Sequence, residues 1–536
     1  MQSAAIHHVE SLVLLLLIAA AALTAISRRL GTPYPIVLVI GGLALSLIPH
    51  VPRVSLSPDL IFLVVLPPLL YSAAYRTSWR EFQHNFVQIV LLAFGLVGFT
   101  IFGVAAFTTW LVPGFTWSLG LVLGAVVCTT DSIAATSIAR RIGLPRAITE
   151  LLEAESLAND ASGLVALKFA VALVVTGAVP SFAAGVGQLF YQISGGTLVG
   201  VAAAVLIHWL QTRINNSPVE ITISLMTPYV AYLAADSIQS SGFFAAVACG
   251  LYMGRRNSGY LSLTARIQAD AVWTTLDFLL NALVFMLTGL QLPYVLAGIS
   301  HSSIRSMALD GAIFSGAVIL LRLLWVMPES WISYELRRHI LRQNTAPPNS
   351  RTTFLVGWTG LRGVLALAAA ISLPERLQNG AEFPLRNEII FLTFCLILAT
   401  LVAQGLSLPP LIRALGLAGS PHNLEELEAR RHMITAALDA LRKQGEASEA
   451  DRDMLDFLRL YYQRRLALLN GQLDDENGAT EPNGTAHGWD LARRLRAIER
   501  QTALELRDRG EIHDGVLRDL ERELDFLDAR GSRSGA

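Results

Sequence analysis

Apolar residues in this chain neither alternate nor keep to one helical face. They run on for whole stretches, broken by short polar segments rich in arginine, glycine and proline. Thirteen runs can be counted, at about 11–26, 34–50, 58–75, 86–112, 117–140, 147–178, 186–211, 218–236, 241–254, 272–297, 308–334, 352–373 and 387–416. A bilayer core is crossed by about 20 mostly apolar helical residues. The pattern predicts an all-α, polytopic membrane region over residues 1–419, with about thirteen spanning helices. Beyond it the pattern changes. Leu455, Leu458, Tyr462 and Leu466 recur at the spacing of one helix face, as do Leu517, Leu520, Leu524 and Leu527. Residues 420–536 read as a helical tail, with stretches at about 422–444, 448–471 and 488–530. Its stripes predict packing against itself or against a second subunit.

Composition sharpens the division. The 536 residues are 53% hydrophobic and 15% charged, well below the charged share of an ordinary soluble enzyme. Of the 83 Lys, Arg, Asp and Glu residues, 42 fall after residue 419. The net charge of −1, with no basic block, gives no reason to expect a nucleic-acid partner. Cys128, Cys249 and Cys395 lie in apolar runs far from metal-ligand or disulfide spacing. The first run lacks a basic segment before it, and Arg28 and Arg29 follow it, so it reads as a retained span. Sixteen loop arginines fall on the tail's side, against Arg53, Arg305, Arg376 and Arg386 on the other. The positive-inside rule then puts the tail in the cytoplasm and the N-terminus outside.

A few charges remain inside the runs: Lys168, Arg322 and Arg362, and the acids Asp131, Glu155 and Asp160. Intramembrane charge is costly and marks a pathway or site. At about 1.5 Å per helical residue, Asp131, Asp160 and Arg362 lie roughly 14–16 Å from the cytoplasmic ends of their runs, near the bilayer centre. Thr129-Thr130-Asp131-Ser132 in the fifth run compete with the backbone for hydrogen bonds. Gly357, Gly360 and Gly363 around Arg362 invite unwinding of the twelfth. One interrupted span in each half, with polar groups at the break, predicts a secondary transporter with inverted repeats and crossed broken helices.

In the sixth run Ser156 and Asp160 share a helix face, with Glu155 and Asn159 about 100° round. A hydroxyl and a carboxylate opposite Asp131 and freed carbonyls form a hard-oxygen pocket suited to Na+ or Li+. Glu155 needs a partner, and Arg362 is the arginine at its depth with flexible backbone around it, so the two are expected to pair. Asp131, Asp160 and Glu155 against Arg362 then leave a net charge of −2. A cation and a proton would compete to relieve it. Lys168 and Arg322 read as snorkelling, packing or locally pairing residues, and Asp277 as a solvated residue near a span end.

Taken together, Thr129-Thr130-Asp131-Ser132, Glu155-Ser156-Leu157-Ala158-Asn159-Asp160 and Gly360-Leu361-Arg362-Gly363 resemble the cation:proton antiporter-1 family, the NhaP- and NHE-type sodium–proton exchangers. Leu66-Pro67-Pro68-Leu69-Leu70, Ser241-Gly242-Phe243, Asn281 and Arg322 with Trp325-Val326 add to a resemblance that covers about residues 10–417. It implies antiport of Na+ for H+ across a bacterial cell membrane, by a lipid-embedded homodimer that is not an enzyme and has no cofactor. It implies a cation site made by the Thr130 backbone with Asp131, Ser156 and Asp160. Asn159 would orient that site, and Glu155–Arg362 would be a structural ion pair. The Asn-Asp form of the span-six motif goes with electroneutral one-for-one exchange in that family. One departure stands out: relatives carry a glutamate shortly after the Leu-Pro-Pro-Leu-Leu run, where this chain has Ser72.

K+/H+ antiport is the alternative within the same family. An intramembrane aspartyl protease also uses two aspartates on neighbouring spans, but needs a Gly-x-Gly-Asp motif that neither Asp131 nor Asp160 has. A channel would need a repeated filter or pore-ring pattern, and none is present.

Overall fold

The computed structural model describes residues 2–48, 58–177, 182–256, 263–297, 304–343, 346–377, 380–418, 422–443, 449–470 and 486–534. Among them there is no strand, only an isolated bridge between Arg376 and Glu382. Along the chain the first two runs form α1 (Gln2–Leu30) and α2 (Tyr34–Ser46). The third joins α3 (Pro58–Leu60), a π-helical turn (Ile61–Val65) and α4 (Leu66–Arg76). After the short α5 (Trp79–His84), the fourth runs through α6 (Phe86–Val90), a π-helical turn (Leu91–Leu96) and α7 (Val97–Leu111). The fifth is broken into α8 (Trp117–Val127) and α9 (Ser132–Ile142). Then come α10 (Arg146–Thr176), α11 (Phe182–Gln211), α12 (Ser217–Ser237), α13 (Gly242–Arg255), α14 (Leu263–Leu290) with α15 (Leu292–Ala297), and α16 (Ile304–His339). The twelfth run is broken into α17 (Ser350–Trp358) and α18 (Val364–Ile371). The thirteenth joins α19 (Arg386–Ala399), a π-helical turn (Thr400–Gln404) and α20 (Gly405–Ala414).

Every predicted apolar run thus holds a helix or a pair of helices. Among the described residues eight of the resulting stretches are long and apolar enough to cross a membrane; others, such as α2 and α13, are shorter. The ends follow local chemistry. Ser78, Thr116, Ser241 and Asn349 accept a backbone N–H with their side chains at the starts of α5, α8, α13 and α17, satisfying donors the helix leaves free. Gly177, with φ +65°, closes α10 in the left-handed conformation that glycine adopts without strain.

The chain divides into two compact units. The first comprises residues 1–214, 222–260 and 272–419. Its apolar core centres on α8, α18 and α19, with Leu123, Val126, Leu367, Ala368 and Leu396 fully buried. Small residues let its helices approach closely. A Cβ on Gly250 or Gly254 of α13 would run into the backbone of Tyr71 and Tyr75 on α4, the close packing a small-xxx-small pattern allows.

The second unit comprises residues 215–221, 261–271 and 420–536. Among the described residues its tail has four helices, not three: α21 (His422–Lys443), α22 (Glu449–Leu469), α23 (Ala486–Arg509) and α24 (Asp514–Ser534). The predicted third stretch is split because Gly510, at φ +83°, ends α23. The breaks expected at 474–478 and 482–484 lie outside the described residues. The leucine stripes pack inside this unit: Leu455, Leu458 and Tyr462 meet Ile434 and Leu441, while Leu517, Leu520 and Leu524 meet Met433 and Leu506. Tyr462 donates a hydrogen bond to the buried Glu499 at 2.5 Å, and burial together with that carboxylate holds the Tyr462 phenol well above its usual pKa. Asp525 joins Arg266 and Arg500, at 2.8 and 2.7 Å.

The α13–α4 contact gives a direct check. Gly254→Val is expected to overpack it, at a cost of about 1–3 kcal/mol, and to lower the melting temperature of the purified protein in detergent. The same change at Gly185, where a Cβ meets nothing, should be silent in that measurement.

Candidate functional site

The two broken runs meet at their breaks. Residues 128–131 and 359–363 leave the helical conformation, and the Asp131 N–H donates to the Leu361 carbonyl at 2.7 Å. A Cβ on Gly363 would lie 2.6 Å from the Asp131 Cβ and 2.7 Å from its Oδ2. Glycine is required there because the other break passes against its α-carbon. The Arg362 N–H is held by Thr400 Oγ1 at 3.1 Å, from the π-helical turn of the thirteenth run.

Each break exposes helix ends, and the charges are placed on them according to sign. The C-terminal end of a helix carries partial negative charge and free carbonyls, the N-terminal end the reverse. Arg362 donates to the Cys128 and Thr129 carbonyls at the end of α8, both at 3.1 Å. Arg322 of α16 donates to the Val356 and Gly357 carbonyls at the end of α17, at 3.1 and 3.2 Å. Asp131 caps the start of α9, its Oδ1 accepting the Ile133 N–H at 2.8 Å, while its Oδ2 side faces Gly363, the residue before α18.

Opposite the fifth-run break stands α10. Ser156 Oγ donates to the Thr130 carbonyl at 2.5 Å and accepts the Ser132 N–H at 3.3 Å. Asn159 donates to Thr130 Oγ1 at 2.6 Å and accepts the Thr130 N–H at 3.4 Å. Asn159 therefore orients Thr130 through both its side chain and its backbone. Asp160, the next residue, is half-buried, and its Oδ1 is buried with no hydrogen-bond partner among the described residues. Thr130, Asp131, Ser156, Asn159 and Asp160 thus lie together at one break.

The predicted Glu155–Arg362 pair is not formed. Glu155 pairs instead with Arg322, bidentately, at 2.5 Å (Nη1–Oε1) and 2.9 Å (Nη2–Oε2). Glu155 is 1% and Arg322 2% exposed, so both charges depend on that contact. Arg362 is drawn to carbonyls because the unwound α8 end needs a donor. Arg322 was passed over because it stands outside the glycine-rich segment; the signal available in the sequence was its matching position in the middle of a span. Lys168 is exposed. Asp277 is not the solvated span-end residue expected: Ser72 Oγ donates to its Oδ1 at 2.7 Å, and Arg76 pairs with its Oδ2 at 2.8 Å. Where relatives were expected to carry a glutamate, Ser72 therefore meets a carboxylate supplied by α14.

Comparison with known proteins identifies the family and the fold. A family model described as sodium/hydrogen exchanger, transmembrane, matches residues 13–414. The chain is 32% identical over 525 residues to an uncharacterised Na+/H+ exchanger of Mycobacterium tuberculosis, covering 96% of this chain and 95% of that protein. It is 30% identical over 547 residues to a sodium, potassium, lithium and rubidium/H+ antiporter of Bacillus subtilis, covering 98% and 79% respectively. The fold is similar to that of the sodium proton antiporter MjNhaP1 from Methanocaldococcus jannaschii, with a TM-score of 0.58 at 17% identity, over 77% of this chain and 99% of that one.

The revised pairing makes a testable claim. Glu155→Gln and Arg322→Met should each cost about 3–5 kcal/mol, because each strands a buried charge. The double replacement should cost clearly less than the sum. Thermal unfolding of the four purified proteins reads this out, and additive losses would mean that the two side chains do not act as a pair.

Proposed function

Because the chain belongs to the sodium/hydrogen exchanger family, and is a multi-pass membrane transporter rather than an enzyme, we propose that it exchanges Na+ for H+ one for one by competition at Asp160. The observation that carries this reading is the buried, unpartnered Asp160 Oδ1 beside a backbone break. A buried carboxylate oxygen without a donor is costly, and either a proton or a small hard cation relieves it. The Thr130 carbonyl, the Ser156 hydroxyl and the Asp131 carboxylate complete an oxygen set of the kind Na+ prefers. Ser156 already donates its proton to the Thr130 carbonyl. Its oxygen lone pairs and the second lone pair of that carbonyl remain the groups to face a cation.

The charge count supports exchange of one for one. Glu155 and Arg322 neutralise each other. Asp131 and Asp160 against Arg362 leave a net charge of −1, in place of the −2 expected from the sequence. One Na+ or one proton brings that to zero, and a second cation has no electrostatic reason to stay. In this reading residues 1–419 carry out the exchange as a homodimer in a bacterial cell membrane, with residues 420–536 as a cytoplasmic tail; the excess of loop arginines on the tail's side supports the orientation. The ions in the name of the Bacillus subtilis relative support K+ as the alternative cargo. Everted vesicles with a pH dye, given Na+, Li+ and K+ in turn, decide between them.

Asp160→Asn should keep the fold and lose exchange at every pH. Ser156→Ala should raise the apparent KM for Na+ and leave some turnover. In the wild type, lowering the pH should raise the apparent KM for Na+, since a protonated carboxyl must first release its proton, and an imposed membrane voltage should leave the rate unchanged. Proton movement driven by Na+ in Asp160→Asn vesicles, or a clear voltage dependence, would reject competition at one carboxylate.

A further inference from the structure

The exchange mechanism leaves one buried acid unused. Along α16, Arg322, Glu329, Ser333 and Arg337 lie seven, four and four residues apart, on one face of the helix. All four are buried, Glu329 at 1% and Ser333 at 3% exposed. The two ends of this stripe are satisfied. Arg322 holds Glu155. Arg337 holds His84 Nε2 at 2.6 Å, Gln343 Oε1 at 3.0 Å and Asn85 Oδ1 at 3.3 Å. The middle is not satisfied. Ser333 Oγ and the nearby Trp325 Nε1 have no hydrogen-bond partner among the described residues, and the carboxyl of Glu329 has only the side-chain amide of Gln88 on α6 beside it. Pro328, inside the helix, lacks the N–H that would bond the Leu324 carbonyl and so frees another acceptor in the same stretch.

Buried polar groups left open in this number are met by ordered water. The charged groups that face Glu329 are Arg322 on its own helix and Glu155 on α10, and α6 presents the neutral Gln88. Of the other elements packed against α16, the rest of α6, the π-helical turn after it and α7 hold no charged residue, α17 holds Arg351, which is exposed and donates to the Leu415 carbonyl, and α19 holds Glu388 and Arg386, which donates to the Ile371 and Leu373 carbonyls. An ionised Glu329 therefore has one cation in reach, and that cation is already taken.

We propose that Glu329 is a proton-holding carboxyl in a hydrated seam along α16, and that it acts as a positioning residue for exchange through Arg322. Protonated, it leaves Arg322 wholly to Glu155 and to the carbonyls of α17. Ionised, it draws on the same guanidinium from two turns away. That loosens the hold on α10 and on the broken twelfth span, whose Gly363 packs against Asp131, and exchange slows. The proton leaves to water in the seam and returns from it at the Arg337 end, so no other reactant is needed. The kinetic part rests on the exchange reading above; the protonation itself does not.

Infrared spectra of the purified full-length protein in lipid test the proton. With Na+ saturating, so that Asp160 holds the cation and not a proton, the wild type should show a protonated-carboxyl C=O band that shifts in D2O within minutes and fades as the pH is raised. Glu329→Gln should lack that band. In proteoliposomes, Glu329→Gln should extend the alkaline limb of the rate against pH, reaching about twice the wild-type rate where the wild type has fallen to half. Its KM for Na+ on the acid side should not change, and Glu329→Asp, still ionisable, should keep a limb. An unchanged infrared band, an alkaline limb shared by wild type and Glu329→Gln, loss of exchange at every pH, or a Glu329→Gln protein that does not fold although the amide mimics the neutral acid, each overturns the proposal. If the wild type moves no Na+, the exchange reading fails while the infrared comparison still decides the role of Glu329.

Discussion

Backbone that leaves the helix inside an apolar medium must find partners for its own poles, and the rest of this site depends on that constraint. Two spans break, and four helix ends result. Arginine side chains hold the two C-terminal ends, Arg362 at α8 and Arg322 at α17. At the N-terminal ends of α9 and α18 a single carboxylate, Asp131, caps one and faces the other. Each charge is stabilised by a dipole of the opposite sign. The breaks are therefore fixed points rather than loose segments, and a cation site can be built against them.

Helix α10 ties that arrangement to the remainder of the first unit. Within eight residues it holds Arg322 through Glu155, the fifth-run break through Ser156 and Asn159, and a π-helical turn through Ser162, which donates to the Ala93 carbonyl at 2.6 Å. Gly163 keeps the approach close; a Cβ there would meet Cys128 and Thr129. Asp160 stands in the middle of this row of satisfied groups with an oxygen unsatisfied. In the proposed exchange its neighbours hold structure, and this open oxygen takes the proton or the cation.

Binding an ion at such a point perturbs everything that shares its anchors. Arg322 serves Glu155, the end of α17 and, by its place on α16, the polar seam that includes Glu329. A change of charge anywhere on that set redistributes a single guanidinium. In the proposed mechanism, coupling between proton and cation follows from shared electrostatics and needs no long mechanical path.

The sequence by itself determined the helical membrane class and the identity of the two broken spans. Apolar run length, charge density and clusters of glycine or hydroxyl residues are local properties, and local patterns record them. Helix period and depth placed Ser156 and Asp160 on one face opposite Asp131, while the places of Thr130 and Asn159 came from the family resemblance. Only the tertiary structure decided the pairings. Glu155 took Arg322 instead of Arg362, and Ser72 met Asp277, because which of several charges at similar depth come into contact depends on helix rotation and crossing. The split at Gly510 had the same origin: glycine within a helical pattern is tolerated or terminating according to the turn its neighbours pack into. Packing sets these choices, and packing is a property of the whole chain.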